Sequence, residues 1–147
     1  MKTRVLVVDD EKDFVEQISQ RLEIREFEVF QAFSGEEALE KSSNALFDVV
    51  ILDVVMPGIS GVETLKKLKS ERPLTEIIML TGHATVDTAI EGMKLGAYDY
   101  LKKPADIEDL VTKVKAAHTR KAAHEERIRK AKVNEIVSSP RSVLDDD

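Results

Sequence analysis

The sequence predicts an α/β fold: a doubly wound, five-stranded parallel sheet with helices on both faces. Three observations carry that expectation. Short apolar runs bounded by polar turns recur along the chain, and runs of that kind read as buried strands. Between them lie longer segments whose apolar residues have helical spacing. Helix start and stop signals fall at the junctions, so the order is strand then helix, five times over. Parallel neighbours need a crossover, and this alternation supplies one each time. No sequence repeat of fixed period is present.

The elements follow in order. The first strand is 4–8, built on the run Val5, Leu6, Val7 and Val8. In the first helix Phe14, Ile18 and Leu22 recur every four residues with Val15 beside them. The second strand is 28–32. Ser34 and Glu37 have the S-x-x-E spacing of a capping box and open the second helix. The third strand is 48–52. Ser60 and Glu63 repeat the capping signal, and Val62, Leu65 and Leu68 give the third helix its stripe. The fourth strand is 76–80. Val86, Ala89, Ile90 and Met93 form the stripe of the fourth helix, and Gly96 stands just past it, as a C′ glycine would. The fifth strand is shorter, 98–101. Asp106 can cap the last helix, whose stripe is Ile107, Leu110, Val111 and Val114. Nothing breaks this helix before about residue 133, so it outruns the sheet. Its stripe thins to Ala117, Ala122, Ile128 and Ala131, too little for a coiled coil.

Composition sets the class. At 147 residues the chain is one domain of ordinary size, able to bury roughly 70% of its unfolded surface. Hydrophobic residues are 42% and charged residues 34%, the balance of a soluble globular protein. With no cysteine, a disulfide framework, a thiol nucleophile and a Cys-ligated metal are excluded. The longest apolar runs are far below the ~20 residues needed to span a bilayer. Lys2 and Arg4 precede an apolar run that Asp9 and Asp10 cut too early for a signal peptide, so the expected location is cytoplasmic and no membrane contact is expected. The net charge of −6 is uneven: residues 1–112 carry −9 and residues 113–132 carry +6. An acidic body repels phosphates, and the basic stretch reads as a solvated helix face, so direct nucleic-acid binding is not expected.

In a parallel sheet, sites form beyond the carboxyl ends of the strands. Asp9, Asp10 and Glu11 follow the first strand, Asp53 the third, Thr81 the fourth, and Lys102, Lys103 and Pro104 the fifth; the second offers only Phe33 and Ser34. Taken singly, each is an ordinary cap or loop residue. Together they place three aspartates, a hydroxyl and a lysine on one edge. Three close carboxylates stay ionised only beside a cation, and an oxygen-only set suits Mg²⁺ or Mn²⁺ rather than zinc. With the metal and a lysine offsetting its charge, a phosphoryl group could be accepted by one of the aspartates as an acyl phosphate.

Other motifs fail. No G-x-x-x-x-G-K-[ST] loop exists, Gly58 and Gly61 lack a G-x-G-x-x-G frame, and no G-x-S-x-G elbow is present. His124-Glu125 begins like H-E-x-x-H, but position 128 is Ile. His83, His118 and His124 have no ligand spacing and are read as surface residues.

Several segments together resemble the receiver domain of two-component response regulators. They are Val5 to Glu11, Asp53-Val54-Val55-Met56-Pro57-Gly58 with Gly61, Leu80-Thr81-Gly82, and Gly96 to Pro104. The resemblance spans about residues 3–118. It implies a flavodoxin-like strand order 2-1-3-4-5 with 1–118 as receiver; beyond it the unbroken helical composition makes 119–137 an extension of the last helix, and Ser138-Ser139-Pro140 opens an expected disordered tail, 138–147. It implies Asp53 as phospho-acceptor. Asp10, Asp53 and the backbone carbonyl of Val55 would be metal ligands, with Asp9 acting through water. Lys103 would pair with the phosphoryl group, Thr81 would move to bond it, and Tyr100 would swing inward as the switch aromatic. The Lys103–Pro104 peptide would be cis.

The partners implied are a sensor histidine kinase or phosphotransfer protein, a downstream protein, and a second copy of the chain through helix 4, strand 5 and helix 5. Apart from transfer to and hydrolysis from its own aspartate, no enzymatic activity is expected. A dehalogenase-like phosphatase would need Asp-x-Asp after its first strand, whereas the acceptor candidate here follows the third and position 55 is Val. Thr81-Gly82-His83-Ala84 and Asp87-Thr88-Ala89-Ile90 are similar to receivers that precede ATPase modules of transcriptional activators. Here no output module follows before Asp147. A stand-alone receiver is therefore expected in preference to a fragment of a larger transcriptional regulator or a receiver-like interaction module.

Overall fold

The computed structural model describes residues 1–82 and 85–138. Five strands alternate with five helices: β1 Arg4–Val8, α1 Lys12–Ile24, β2 Glu28–Ala32, α2 Gly35–Asn44, β3 Val49–Leu52, α3 Gly61–Glu71, β4 Glu76–Thr81, α4 Val86–Lys94, β5 Asp99–Lys102 and α5 Ile107–Ser138. All pairings are parallel and the order is β2-β1-β3-β4-β5, the flavodoxin-like arrangement.

The period of two along each strand divides the core into two layers. Val5 and Val7 of β1 pack with Val49, Ile51, Ile78 and Leu80 against α1 and α5, through Val15, Leu22, Leu110, Val114 and Ala117. Leu6 and Val8 turn to the other face, where Val50, Leu52, Ile77 and Met79 meet Ala38 of α2 and Leu65 and Leu68 of α3. A strand buried on both faces needs no polar alternation, which is why β1, β3 and β4 read as unbroken apolar runs.

The edge strands depart from that rule. β2 and β5 are only partly buried, because each has a sheet neighbour on one side alone. β5 also starts one residue later than its apolar run: Tyr98 donates to Ile77 O, and the ladder proper begins with Asp99 opposite Ile78.

Caps fix the helix starts. The Ser34 and Ser60 side chains accept from the Glu37 and Glu63 amides at 3.1 Å each. Glu37 reaches back one residue further than a capping box requires, accepting from Phe33 N. α4 has a box of its own, Thr85 with Thr88, outside the S-x-x-E pattern. Gly96, at φ 105°, takes the left-handed turn after α4. Asp106 accepts from the Glu108 amide before α5.

The stripe of α4 is a correction to the sequence pattern. Ala89 is buried, but Val86, Ile90 and Met93 are exposed and line a shallow apolar groove with Tyr100 of β5. A nine-residue helix at the sheet's end has core to cover along one narrow line, and Gly92 brings that line against Met79.

α5 is 32 residues, about 48 Å at helical rise. Where it leaves the sheet, the amino-terminal edge holds it by polar contacts. His118 Nδ1 bonds Thr3 Oγ1 at 2.8 Å, Lys121 pairs with Asp48 at 3.1 Å, and Arg120 pairs with the buried Glu76. His118, held by these contacts, is half-buried rather than a fully surface residue, and so is His124 one to two turns on; His83 lies outside the described residues. So do residues 139–147, most of the stretch expected to be a disordered tail.

Candidate functional site

The carboxyl ends of β1, β3, β4 and β5 converge because parallel strands point the same way. What the chain does next at each end decides the site. β1 runs into Asp9 and Asp10, β3 into Asp53, β4 ends in Thr81, and β5 into Lys103.

Carboxylate oxygens of Asp9, Asp10 and Asp53 all lie within 4.8 Å of one another. Asp9 and Asp53 are buried and Asp10 is exposed, so the cluster opens on its Asp10 side. Lys103 Nζ lies 2.5 Å from Asp9 Oδ2, 3.8 Å from Asp53 Oδ2 and 3.7 Å from Glu11 Oε1. Its ammonium also sits 4.0 Å over the Phe14 ring, a cation–π contact that fixes it from the α1 side. The Lys103 amide donates to Thr81 O at 2.9 Å, and the Lys103–Pro104 peptide is cis.

The backbone completes the frame. Asp53 N donates to Val8 O, holding the third aspartate in line with β1. Its Oδ1 accepts from Val55 N at 3.3 Å, and Asp9 Oδ1 accepts from Glu11 N at 3.0 Å. Val55 itself is exposed, in the loop between β3 and α3. Gly61 closes that loop by donating to Val54 O at 2.8 Å. A Cβ at Gly61 would lie 2.2 Å from Asp53 O, so only glycine lets α3 start so close to the acidic cluster.

The charges do not balance. Burial raises the Asp9 pKa above its ordinary 3.8, with the neighbouring Asp53 charge adding to it, against the Lys103 and Glu11 hydrogen bonds. Burial works against the charge of Lys103. The hydrogen bond and field of Asp9, with Asp53 and Glu11, outweigh it and raise its pKa. One ammonium thus faces three clustered carboxylates. An all-oxygen, charge-rich donor set with an open side fits a hard divalent cation such as Mg²⁺.

Each residue singled out in the sequence can now be placed. Asp9, Asp10, Asp53 and Lys103 come together as one cluster. Thr81 is buried at the end of β4, beside Lys102 of β5 in register. Tyr100 lies on β5 opposite Met79 and is 39% exposed, facing the α4 groove rather than the acids. The sequence pattern left two participants unmarked. Phe14 reads only as the first core residue of α1, although its position one turn after Asp10 is a usable signal. Glu36 reads only as a first-turn acid of α2, yet its carboxylate accepts from Ile59 N in the β3–α3 loop.

Comparison with known proteins agrees with the geometry. Residues 5–115 match the family described as response regulator receiver domain. The chain is 36% identical over 107 residues to the regulatory protein AtoC of Escherichia coli, covering 73% of this chain and 23% of that protein. It is 36% identical over 116 residues to the alkaline phosphatase synthesis transcriptional regulatory protein PhoP of Bacillus subtilis, covering 79% and 48%. The chain therefore spans a quarter to a half of the length of these curated relatives. Among solved structures it is similar to a CheY-like receiver domain protein of Methanospirillum hungatei. There the TM-score is 0.82 at 31% identity, covering 84% of this chain and 99% of that one. NtrX of Brucella abortus, solved with ADP, matches over 86% of this chain and 29% of its own, with TM-score 0.80 and 28% identity.

Proposed function

The chain belongs to the response regulator receiver domain family, and from that premise we propose that it is a switch that accepts a phosphoryl group on Asp53. The observation that carries the reading is the cluster itself: three aspartates with oxygens within 4.8 Å, and Lys103 between Asp9 and Asp53.

In this reading an Asp53 carboxylate oxygen attacks the phosphorus of a phosphohistidine on a sensor histidine kinase or phosphotransfer protein. The P–N bond breaks, its electron pair returns to the imidazole, and the acyl phosphate forms. Asp10, Asp53 and the Val55 carbonyl would hold Mg²⁺ (or Mn²⁺), with Asp9 assisting through water. Bound there, the metal supplies positive charge against the phosphoryl oxygens. Lys103 exchanges part of its contact with Asp9 for the incoming phosphoryl group. Thr81 bonds the group through its hydroxyl, and Tyr100 turns inward from its exposed position. Hydrolysis of the acyl phosphate resets the domain.

The output face would be α4, β5 and α5, where Val86, Ile90, Met93 and Tyr100 are already exposed. A downstream protein or a second copy of the chain would dock there, with 119–137 carrying the change away from receiver 1–118. Transcriptional regulators among the relatives favour an output on gene expression, reached through protein contacts rather than by this segment binding DNA. No helix among the described residues is long and apolar enough to cross a membrane.

Intact mass after incubation with acetyl phosphate tests the chemistry. A single phosphoryl adduct that needs Mg²⁺ and disappears in Asp53→Asn is expected. An adduct at full level in Asp53→Asn would overturn the assignment. Sedimentation with and without a phosphoryl mimic tests the dimer, and an unchanged monomer would remove it.

A further inference from the structure

The β3–α3 loop is anchored well at its ends. Asp53 N bonds Val8 O at its start, and Gly61 N bonds Val54 O as α3 begins. Between these anchors Met56 is buried in the core beside Val55, while Val55, Pro57 and Gly58 are exposed and Gly58 adopts φ 84°. Met56 fixes one side of Val55; the stretch after it, 57–59, gains its position from what holds it along the surface.

Two contacts from the first turn of α2 do so. Glu36 Oε1 accepts from Ile59 N at 2.9 Å. The same carboxylate lies so close beneath Gly58 that a Cβ there would stand 2.7 Å from it. Gly35, next along, lets the Ile59 side chain and Thr64 Oγ1 approach to where its own Cβ would be, at 2.6 and 2.2 Å. α2 is in turn fixed by the Ser34 cap and by its packing on α3. The bond between Glu36 and the Ile59 amide is charge-assisted, and it is the first cause that holds the Glu36 pKa below its ordinary 4.5.

We propose that Glu36 is a positioning residue for cation binding: its carboxylate holds the β3–α3 loop so that the Val55 carbonyl is presented to the metal. This rests on the receiver reading, since it takes Val55 as the metal-binding carbonyl. Glu36 touches neither metal nor phosphoryl group. It acts by removing freedom from the loop before the cation arrives, so its loss falls on affinity more than on the reaction once metal is saturating. Loss of an outer partner typically weakens a metal site about tenfold or more.

The test is Mg²⁺ titration by calorimetry on the full chain, with Glu36→Ala, Glu36→Gln and wild type, followed by acetyl phosphate labelling at saturating Mg²⁺. Glu36→Ala removes the acceptor and should weaken Mg²⁺ affinity about tenfold. Its labelling rate at saturating metal should stay within about twofold of wild type, since the reacting groups are untouched. Glu36→Gln keeps a carbonyl oxygen for the Ile59 amide and should bind Mg²⁺ within about twofold of wild type, because the neutral bond retains part of the strength. Wild-type affinity in Glu36→Ala overturns the proposal. So does Glu36→Gln falling as far as Glu36→Ala, which would assign the effect to lost charge alone. Should Glu36→Ala fold poorly by circular dichroism, the proposal stands or falls on Glu36→Gln and Glu36→Asp, which must then order by their ability to reach the amide. A wild-type chain that neither binds Mg²⁺ nor labels at Asp53 would instead refute the receiver reading itself.

Discussion

The two edges of the sheet collect acids in opposite ways. At the amino-terminal edge, Asp48 and the buried Glu76 are each met by several donors. Asp48 accepts from Arg4 N at 2.8 Å and pairs with Lys121 at 3.1 Å and with His118 at 3.6 Å. Glu76 pairs with Arg120 and with Lys69 at 3.4 Å, and Arg120 lies 5.0 Å over the Tyr98 ring. At the carboxyl edge, Asp9, Asp53 and Glu11 share Lys103, and Asp10 stands in the same acidic cluster. The first edge is balanced internally and pins α5. The second leaves negative charge in excess, which suits a cation and a transferred group from outside. Burial of acids is common to both; the supply of cations from the same chain separates structure from chemistry.

The sharpest way to break this comparison is chemical. Asp53→Asn should abolish the phosphoryl adduct altogether, whereas Glu76→Gln should leave labelling within about twofold, since that acid only holds structure. Intact mass reads both.

Stability comes next, and the two edges should respond with opposite signs. Arg120→Ala leaves Glu76 buried with Lys69 as its remaining partner. Breaking a buried pair costs about 3–5 kcal/mol; Arg120 is partly exposed and Lys69 stays, so a loss of about 1–2 kcal/mol is expected in urea unfolding. Asp10→Asn removes one of three repelling carboxylates, and in metal-free protein it should stabilise by about 1 kcal/mol. Adding Mg²⁺ should stabilise wild type and erase that advantage. A destabilising Asp10→Asn without metal would show that the carboxyl edge is balanced after all.

The smallest effect concerns pH. A carboxyl whose pKa is raised in the fold keeps its proton where the unfolded chain has lost it. Metal-free stability therefore gains from Asp9 as pH falls from neutral toward and below that raised pKa. Lys103, also raised, adds no pH dependence in this window, because its stabilisation is fully present below 10.5 and is lost only as pH rises through its folded value. The Tm gap between Asp9→Asn and wild type, measured without metal, should narrow on acidification. A gap independent of pH would mean that burial does not disfavour the Asp9 charge.

Much of this was legible in the chain. β1, β3 and β4 announce themselves as four-residue apolar runs because both faces are covered. Ser34 and Ser60 mark their helices because a cap is a local bond. The acids and the lysine of the site stand immediately after strands, and a parallel sheet carries all such positions to one edge. Other features were hidden for equally physical reasons. The Thr85–Thr88 box uses a hydroxyl where the pattern expects a carboxylate. The α4 stripe has helical period yet is mostly exposed, since period reports a face and not whether anything covers it. Asp48 and Glu76 look like boundary residues, and the side chains that meet them on α5 are 44 to 73 positions away in the chain.

The sequence by itself determined the layered α/β architecture and the membership of the acidic edge. Both depend on short-range period, capping and the direction of parallel strands. Only the tertiary structure decided which acids are balanced, that Phe14 lies beneath Lys103, and that Glu36 grips the β3–α3 loop. Those depend on the distance between groups far apart in sequence, and Coulomb and hydrogen-bond energies are set by distance and burial, which no local pattern encodes.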